Sequence, residues 1–300
     1  MKKRDIKRRD FLSLSLLFMM GCSFSKVQEI ATSNYAGNHP ERLRFAVTDV
    51  QGLETLETDY APFRQALEKV VGIPIEFFPV ENFIAAAPAL LSGTVDLVFA
   101  GPSEYLILQA KTEARPLIAV TRPEYYSVIS VRANSDIKDL ADLKDKTVAM
   151  RAEGSTAGHI GAADLLLKAG LKFNEDFQVK MLGDEGLTAL LEGQVDAWAD
   201  SNSRYDRLVE TANVVDQLRI ISQGDGLPND VFVVRKTLDP IFTQYVQKKV
   251  MEKQSILLTA LASTPANDKY EQSEFIPAAD EHYEVLREIY RAMGQEFILQ

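Results

Sequence analysis

A two-lobed α/β fold, with a mostly parallel sheet flanked by helices in each lobe, is predicted by three features of the sequence. Apolar runs of strand length alternate with amphipathic helical stretches. The alternation runs its course once and then restarts. An eight-residue segment recurs at the same point of both series. In the first series, residues 43–48 read as a strand, 60–71 as a helix stopped by Gly72, 74–80 as a strand, 83–91 as a helix and 95–100 as a strand. A helix over 104–111 precedes strands at 117–121 and 127–132. In the second series, 146–151 is a strand, 155–169 a helix, 179–182 a strand, 186–191 a helix and 195–199 a strand. Strand-helix-strand alternation of this kind builds parallel strands covered by helices.

The recurring segment is Ala89-Leu90-Leu91-Ser92-Gly93-Thr94-Val95-Asp96, matched by Ala189-Leu190-Leu191-Glu192-Gly193-Gln194-Val195-Asp196, with six identities in eight. Each copy is a helix end, a glycine cap and a buried strand opened by Val-Asp. The expected organisation is a signal segment over 1–21, a tether over 22–41, one lobe from 42–131 with 232–300, and a second lobe over 132–231. The chain then crosses between lobes near 131–135 and near 227–231, and a double crossing makes a hinge. Ligands of such sheets sit beyond the carboxyl ends of the strands. That nominates the loops 48–52, 101–103, 152–158 and 200–202 as the lining of a common cleft.

Charge and composition exclude other classes. The 300 residues carry 33 Lys+Arg and 43 Asp+Glu, for a net charge of −10, with 46% hydrophobic and 25% charged residues. This is a folded chain of ordinary composition and a poor nucleic-acid binder, because phosphate backbones require clustered Lys and Arg. The charge is uneven. Residues 1–10 hold six basic and two acidic residues, which leaves −14 on the rest. They are followed by a ten-residue apolar run, Phe11 to Met20, too short to span a bilayer as a helix. Gly21-Cys22 comes next. This is the layout of an export signal, and Cys22, the only cysteine, is expected to accept a lipid anchor. An uncleaved N-terminal anchor is the alternative, and Lys7-Arg8-Arg9-Asp10-Phe11-Leu12 is similar to the twin-arginine export motif. From Ser23 to Glu41 the chain is polar, without period, and reads as a tether.

The sharpest local signal is Glu153-Gly154-Ser155-Thr156-Ala157-Gly158, which follows a strand and opens a helix. Small residues, free N–H groups and the positive end of a helix suit an anion. The same residues also fit an ordinary Ser N-cap. Signals for catalysis are thin. His39, His159 and His282 have no metal-ligand spacing, and there is no Gly-x-Ser-x-Gly elbow. His159 and Trp198 read as packed residues. No cofactor or metal is expected.

The stretch from about Leu43 to Leu261 resembles the phosphate/phosphite/phosphonate-binding proteins of ABC importers. The resemblance rests on Val95-Asp96 with Gly101-Pro102-Ser103, on Tyr125-Tyr126-Ser127, on Ile137-x-x-Leu140-x-Asp142-Leu143-Lys144-x-Lys146 and on Ser155-Thr156-Ala157-Gly158. It extends through Gly193-x-Val195-Asp196 and Leu227-Pro228-Asn229-Asp230 before Val233-Val234-Arg235-Lys236. It implies a type II periplasmic-binding-protein fold and a monomeric, lipid-tethered receptor that carries a phosphonate- or phosphite-like oxyanion to a permease without covalent chemistry. A ligand-binding module of a sensory system is the alternative role. The resemblance further implies that Ser155, Thr156 and the amides of Ala157 and Gly158 hold the oxyanion, that Tyr125 contacts it from the other lobe, and that Asp230 meets a ligand amine. Ser103 and Ser127 are nominated as further cleft residues. Three positions depart from the family pattern. Ala157 replaces a serine of a Ser-Thr-Ser signature. Phe83 stands where some members present a cleft tyrosine. Asp184 stands where phosphonate binders often have a histidine, and a carboxylate there would repel a fully ionised phosphonate unless it turns away or shares a proton. A smaller or less charged anion and a zwitterion both fit these departures.

Overall fold

The computed structural model describes residues 39–50, 52–80 and 85–300. The signal segment, Cys22, the tether up to Asn38, and Phe83 lie outside the described residues. The chain begins with β1 (Leu43–Val47), α1 (Leu53–Val71), β2 (Ile75–Phe77), α2 (Ala86–Leu91), β3 (Leu97–Ala100), α3 (Pro102–Thr112) and β4 (Arg115–Val120). It continues with β5 (Ser127–Arg132), β6 (Thr147–Met150) and a π-helical turn (Thr156–Gly161) that runs into α4 (Ala162–Lys168). Next come β7 (Gln178–Met181), α5 (Gly186–Leu191), β8 (Ala197–Ser201), α6 (Asn202–Thr211) and β9 (Leu218–Gln223). It closes with β10 (Asp230–Val234), α7 (Pro240–Glu252), α8 (Gln254–Leu261), β11 (Phe275–Pro277) and α9 (Glu284–Ala292). No helix among the described residues is long and apolar enough to cross a membrane.

The strands form two sheets, ordered β11-β4-β10-β3-β1-β2 and β7-β6-β8-β5-β9. Both contain the same parallel core, β2-β1-β3 in one and β7-β6-β8 in the other. Each core is then extended by antiparallel strands: β10 and β4 beside β3, and β5 and β9 beside β8. The sheets are therefore mixed, with parallel pairing confined to the βαβ units. The antiparallel extension also corrects the expected boundaries. Residues 127–131, assigned by sequence to the first lobe, lie in β5 and pair with β8 and β9. Residues 230–231, assigned to the second, lie in β10 and pair with β3 and β4. Each sheet takes the strand beside its parallel core from across a crossing, so the chain changes sheets over 121–126 and 224–229.

The repeated octapeptide occupies equivalent places. Gly93 and Gly193 both have left-handed φ, 70° and 75°, which ends α2 and α5 at little steric cost. Their N–H groups donate to Leu90 O and Leu190 O at 3.2 and 3.1 Å. One carboxylate oxygen of Asp96 accepts the Arg44 N–H of β1 at 2.9 Å, and one of Asp196 accepts the Thr147 N–H of β6 at 2.8 Å. In both halves the aspartate stitches the entry of one parallel strand to its neighbour. Asp96 is fully buried and also holds Arg44 and Arg235 at 3.0 and 2.8 Å, which compensates the cost of burying its charge.

Packing explains where the elements depart from expectation. Helix α1 starts at Leu53 rather than near residue 60, because Leu56, Tyr60, Phe63, Leu67 and Val71 form one buried stripe. The polar residues between Leu53 and Asp59 lie on its outer face and read in sequence as a loop. Phe63, Phe99 and Phe232 stack at 5.4 and 4.3 Å in the first sheet's core. Trp198 is buried on β8 and stacks on Tyr205 at 5.6 Å. The helix expected over 155–169 opens as a π-turn: the Ser155 carbonyl accepts the N–H groups of both His159 and Ile160 at 3.0 Å. Gly161 allows this turn to lie against β5, since a Cβ there would run into the Ser127 hydroxyl. His159 is buried, its Nδ1 accepts the Gly154 N–H at 3.0 Å, and burial pushes its pKa down to about 4.

Two outcomes follow. Gly161→Ala overpacks the contact between turn and β5 and should lower unfolding stability by about 1–3 kcal/mol in urea titration. The neutral, buried His159 stabilises the fold above its unfolded pKa of 6.5, and that contribution is lost as pH falls toward 4. Between pH 7 and pH 4.5 wild type should lose about 2–3 kcal/mol that His159→Gln does not, since one pKa unit is worth about 1.4 kcal/mol. Equal pH dependence in the two proteins would contradict the burial of a neutral imidazole.

Candidate functional site

The carboxyl ends of β1, β3, β6 and β8 face one cavity of about 250 Å³ between the two sheets. All four nominated loops contribute to its lining, through Thr48 and Asp49, through Gly101, through Ser155 to Gly158, and through Asp200 and Ser201. The first crossing segment adds Arg122 and Tyr125, the start of β10 adds Asp230, α3 adds Glu104, α6 adds Arg204 and Arg207, and the stretch before β11 adds Lys269 and Tyr270.

The predicted residues divide into those that line the cavity and those that support it. Ser155, Thr156, Ala157, Gly158, Tyr125 and Asp230 line it. Gly158 is required by its own position: a Cβ there would lie 2.7 Å from the Arg151 Cβ, and its carbonyl accepts the Arg151 N–H at 3.2 Å. The first N–H groups of the Thr156 turn have no carbonyl partner within it and are disposed toward an acceptor. The Thr156 hydroxyl has another commitment. It accepts the Ser103 N–H at 3.1 Å and lies 2.7 Å from the Ser103 hydroxyl, joining the two lobes where the turn meets the start of α3. Ser103 and Ser127 are not in the lining. The Ser103 hydroxyl donates to the Gly154 carbonyl, and the Ser127 hydroxyl donates to the Ala157 carbonyl at 2.8 Å. Both are buried and brace the turn from behind.

Asp184 corrects the expectation more sharply. Its carboxylate is exposed, lies outside the cavity lining and pairs with the Arg204 Nη2 at 2.5 Å. Asp200 takes the Arg204 Nε at 3.1 Å. Asp184 therefore holds a cleft arginine from outside, because the turn after β7 carries its side chain toward the nearest guanidinium. Asp230 is also engaged: Tyr270 donates to its Oδ2 at 2.6 Å, and the Arg122 Nη1 stands 3.6 Å away. The Arg122 guanidinium lies over the Tyr125 ring, 3.5 Å from its centroid, a cation–π contact in a desolvated place.

Sequence reasoning missed the cations. Arg122, Arg151, Lys269 and the α6 pair Arg204 and Arg207 come from four separate places in the chain, and only folding brings them together. Arg151 ended a predicted strand, so the rule that ligands sit beyond strand ends could have found it. Asp49 bridges the lobes, with Arg151 Nη2 at 3.1 Å and Lys269 Nζ at 3.7 Å. Burial pushes the Asp49 carboxyl up, but the charges of Arg151, Lys269, Arg122 and Arg204 outweigh burial and hold it below the usual range. Burial lowers the Lys269 ammonium despite Asp49. It also raises the phenols of Tyr60, Tyr125 and Tyr270, which stay protonated and can donate. The Glu104 carboxyl is pushed up to about 7 by burial, with Asp49 and Asp230 adding to the effect. The cavity thus offers guanidinium, ammonium, phenol, hydroxyl and amide donors to a small anion. Among the described residues no group of three histidine, cysteine or carboxylate side chains is arranged to hold a metal ion.

Comparison with known proteins agrees with this chemistry. The family described as "ABC transporter, phosphonate, periplasmic substrate-binding protein" matches residues 45–283. The phosphate-import protein PhnD of Mycolicibacterium smegmatis is 24% identical, over 93% of this chain and 94% of its own length. Among solved structures, XAC2383 from Xanthomonas citri bound to ATP superposes with a TM-score of 0.72 at 18% identity, covering 86% of this chain and 98% of its own. PhnD1 from Prochlorococcus marinus in complex with methylphosphonate superposes with a TM-score of 0.69 at 20% identity, covering 86% of this chain and 100% of its own. These likenesses carry the two-lobed fold of the type II periplasmic binding proteins. The matched residues include both sheets, apart from the first two residues of β1, and every residue that lines the cavity, and the chain belongs to the phosphonate family of periplasmic substrate-binding proteins of ABC transporters.

Proposed function

We propose that this receptor captures a small phosphorus oxyanion of the phosphonate, phosphite or phosphate class as a bare anion, at the extracytoplasmic face of the membrane and anchored there through Cys22. The observation that carries the ligand reading is the convergence of Arg122, Arg151, Arg204, Arg207 and Lys269 on one cavity of about 250 Å³. That volume is below the range of about 300–1,000 Å³ usual for drug-sized ligands, which supports a ligand of few atoms. Ser155 and the amides of Ala157 and Gly158 complete the oxyanion's donors, with Tyr125 opposite. A bare anion is favoured over a zwitterion by the state of the two carboxylates that the sequence placed near a ligand amine. Asp230 is already satisfied by Arg122 and Tyr270, and Asp184 is outside the lining and bound to Arg204. An amine would have to displace a guanidinium from Asp230.

Thermal unfolding of the protein with phosphite, phosphate, methylphosphonate, aminoethylphosphonate and sulfate tests this reading. A ligand at a hundred times its Kd stabilises by about 2.7 kcal/mol, which raises Tm by several degrees in a chain of this size. Methylphosphonate or phosphite should stabilise at least as well as aminoethylphosphonate. A flat response to every phosphorus oxyanion would exclude the ligand class, and a clear preference for aminoethylphosphonate would return Asp230 to amine recognition. Arg151→Ala should weaken the preferred anion roughly ten- to a hundredfold in calorimetric titration, as expected for a charged hydrogen bond of about 1.5–3 kcal/mol.

A further inference from the structure

We propose that Glu104 is a specificity-determining residue of this cleft, meeting the bound oxyanion as a carboxylic acid and donating a hydrogen bond to it, so that capture of the anion is coupled to one proton on this side chain. The proposal rests on the reading of the cleft as an oxyanion site. It starts from a difference among the acids that line the cavity. Asp49, Asp200 and Asp230 each have a basic partner, in Arg151 and Lys269, in Arg204 and in Arg122, and Asp268, the remaining aspartate of the lining, is exposed. Among the described residues Glu104 has no salt bridge. Its hydrogen-bond partners are its own backbone N–H and two hydroxyls, Ser103 Oγ at 3.1 Å and Thr156 Oγ1 at 3.5 Å from its Oε2; the backbone and Ser103 bonds favour the carboxylate, but burial and the neighbouring carboxylates outweigh them. The carboxyl folds back over the start of its own helix, where a Cβ on residue 101 would collide with it, so Gly101 makes room for this position.

The groups around Glu104 decide its protonation. On the first lobe it faces Asp49 from the loop after β1 and Asp230 from β10, and both disfavour a second negative charge nearby. Tyr125 from the crossing segment and Tyr290 from α9 also face it, as neutral phenols. From the second lobe come Thr156 and Arg151, the latter already paired with Asp49. In these surroundings, with Glu104 half-buried in the cavity wall, the acid form prevails below about pH 7. An oxyanion arriving beside it adds like charge and favours the acid form further. As a carboxylate Glu104 would repel the ligand. As an acid it supplies a short O–H···O⁻ bond, among the stronger kinds. The hydrogen comes from solvent or from the ligand's own P–O–H group, and in either case one proton lies between the two oxygens.

Calorimetric titration of the protein and of Glu104→Gln with methylphosphonate from pH 5.5 to 8.5 tests this. Glutamine has the shape of the protonated acid and donates at every pH. The ligand's own titration is common to both proteins and cancels in the ratio of their Kd values. The wild-type Kd divided by that of Glu104→Gln should rise toward tenfold per pH unit above pH 7, the limit for one linked proton. Should Glu104→Gln lack a cooperative melt, Glu104→Ala takes its place: the wild-type advantage over alanine should be largest at pH 5.5 and shrink as pH rises. A ratio that stays constant with pH overturns the role of Glu104 and leaves the receptor reading intact. Failure of the wild-type protein to bind methylphosphonate, phosphite or phosphate at any pH overturns both.

Discussion

An anion drawn from water into a protein must recover its lost hydration from donors that can themselves survive burial. That constraint organises the cleft. Isolated guanidinium groups confined in a 250 Å³ cavity would repel one another and lack solvent. Here the innermost cations are held by carboxylates: Arg122 by Asp230, Arg151 and Lys269 by Asp49, Arg204 by Asp200 and Asp184. An incoming oxyanion joins an existing network of pairs and competes for its donors. Binding is therefore an exchange of partners, and its net strength is smaller than the number of positive charges suggests. A carrier that must release its cargo gains from this arrangement.

The topology delivers the same residues to both recognition and movement. Each sheet takes a strand from beyond a crossing, so the two crossing segments run side by side. Leu227 N–H donates to the Tyr125 carbonyl at 2.8 Å, and Arg122 N–H donates to the Asn229 side chain at 3.1 Å. Arg122 and Tyr125, both in the cavity lining, are therefore built on a crossing segment, and Asp230 follows directly on the other. On the far side of the cavity, Asp49 with Arg151 and Ser103 with Thr156 join lobe to lobe by polar contacts, and Ile160 and Ala163 of the second lobe pack with Leu106, Leu286 and Tyr290 of the first in one buried apolar cluster.

What was legible in the sequence follows from the range of each interaction. The parallel cores were readable because strand and helix periods are local, and the octapeptide revealed their duplication through residues that make the same bonds, Gly93 with Gly193 and Asp96 with Asp196. The turn at Ser155 was readable as a run of small residues between strand and helix. Strand partners were not. Ser127–Arg132 looks like any buried strand, and its membership in the second sheet depends on β8 and β9, which lie roughly seventy and ninety residues further on. The cationic lining was hidden for the same reason. Arg204 and Lys269 sit in ordinary amphipathic surroundings, and no local pattern distinguishes them from surface basic residues. Asp184 was placed correctly in the chain, but its role depended on an arginine twenty residues away that sequence reasoning had no ground to pair with it.

The overall charge illustrates the same separation of scales. A chain with −14 beyond its basic first ten residues repels a small anion at a distance, though ordinary salt screens this within about 8–10 Å. Encounter is then slowed modestly at low ionic strength. Once the anion is inside the cavity, the distant surface charge matters little, since nearby guanidinium groups act through a poorly screened medium. The arginines of the lining are held in place by Asp49, Asp184, Asp200 and Asp230. The acidic surface and the anion-binding interior are thus compatible, because the acids nearest the site hold its cations in place.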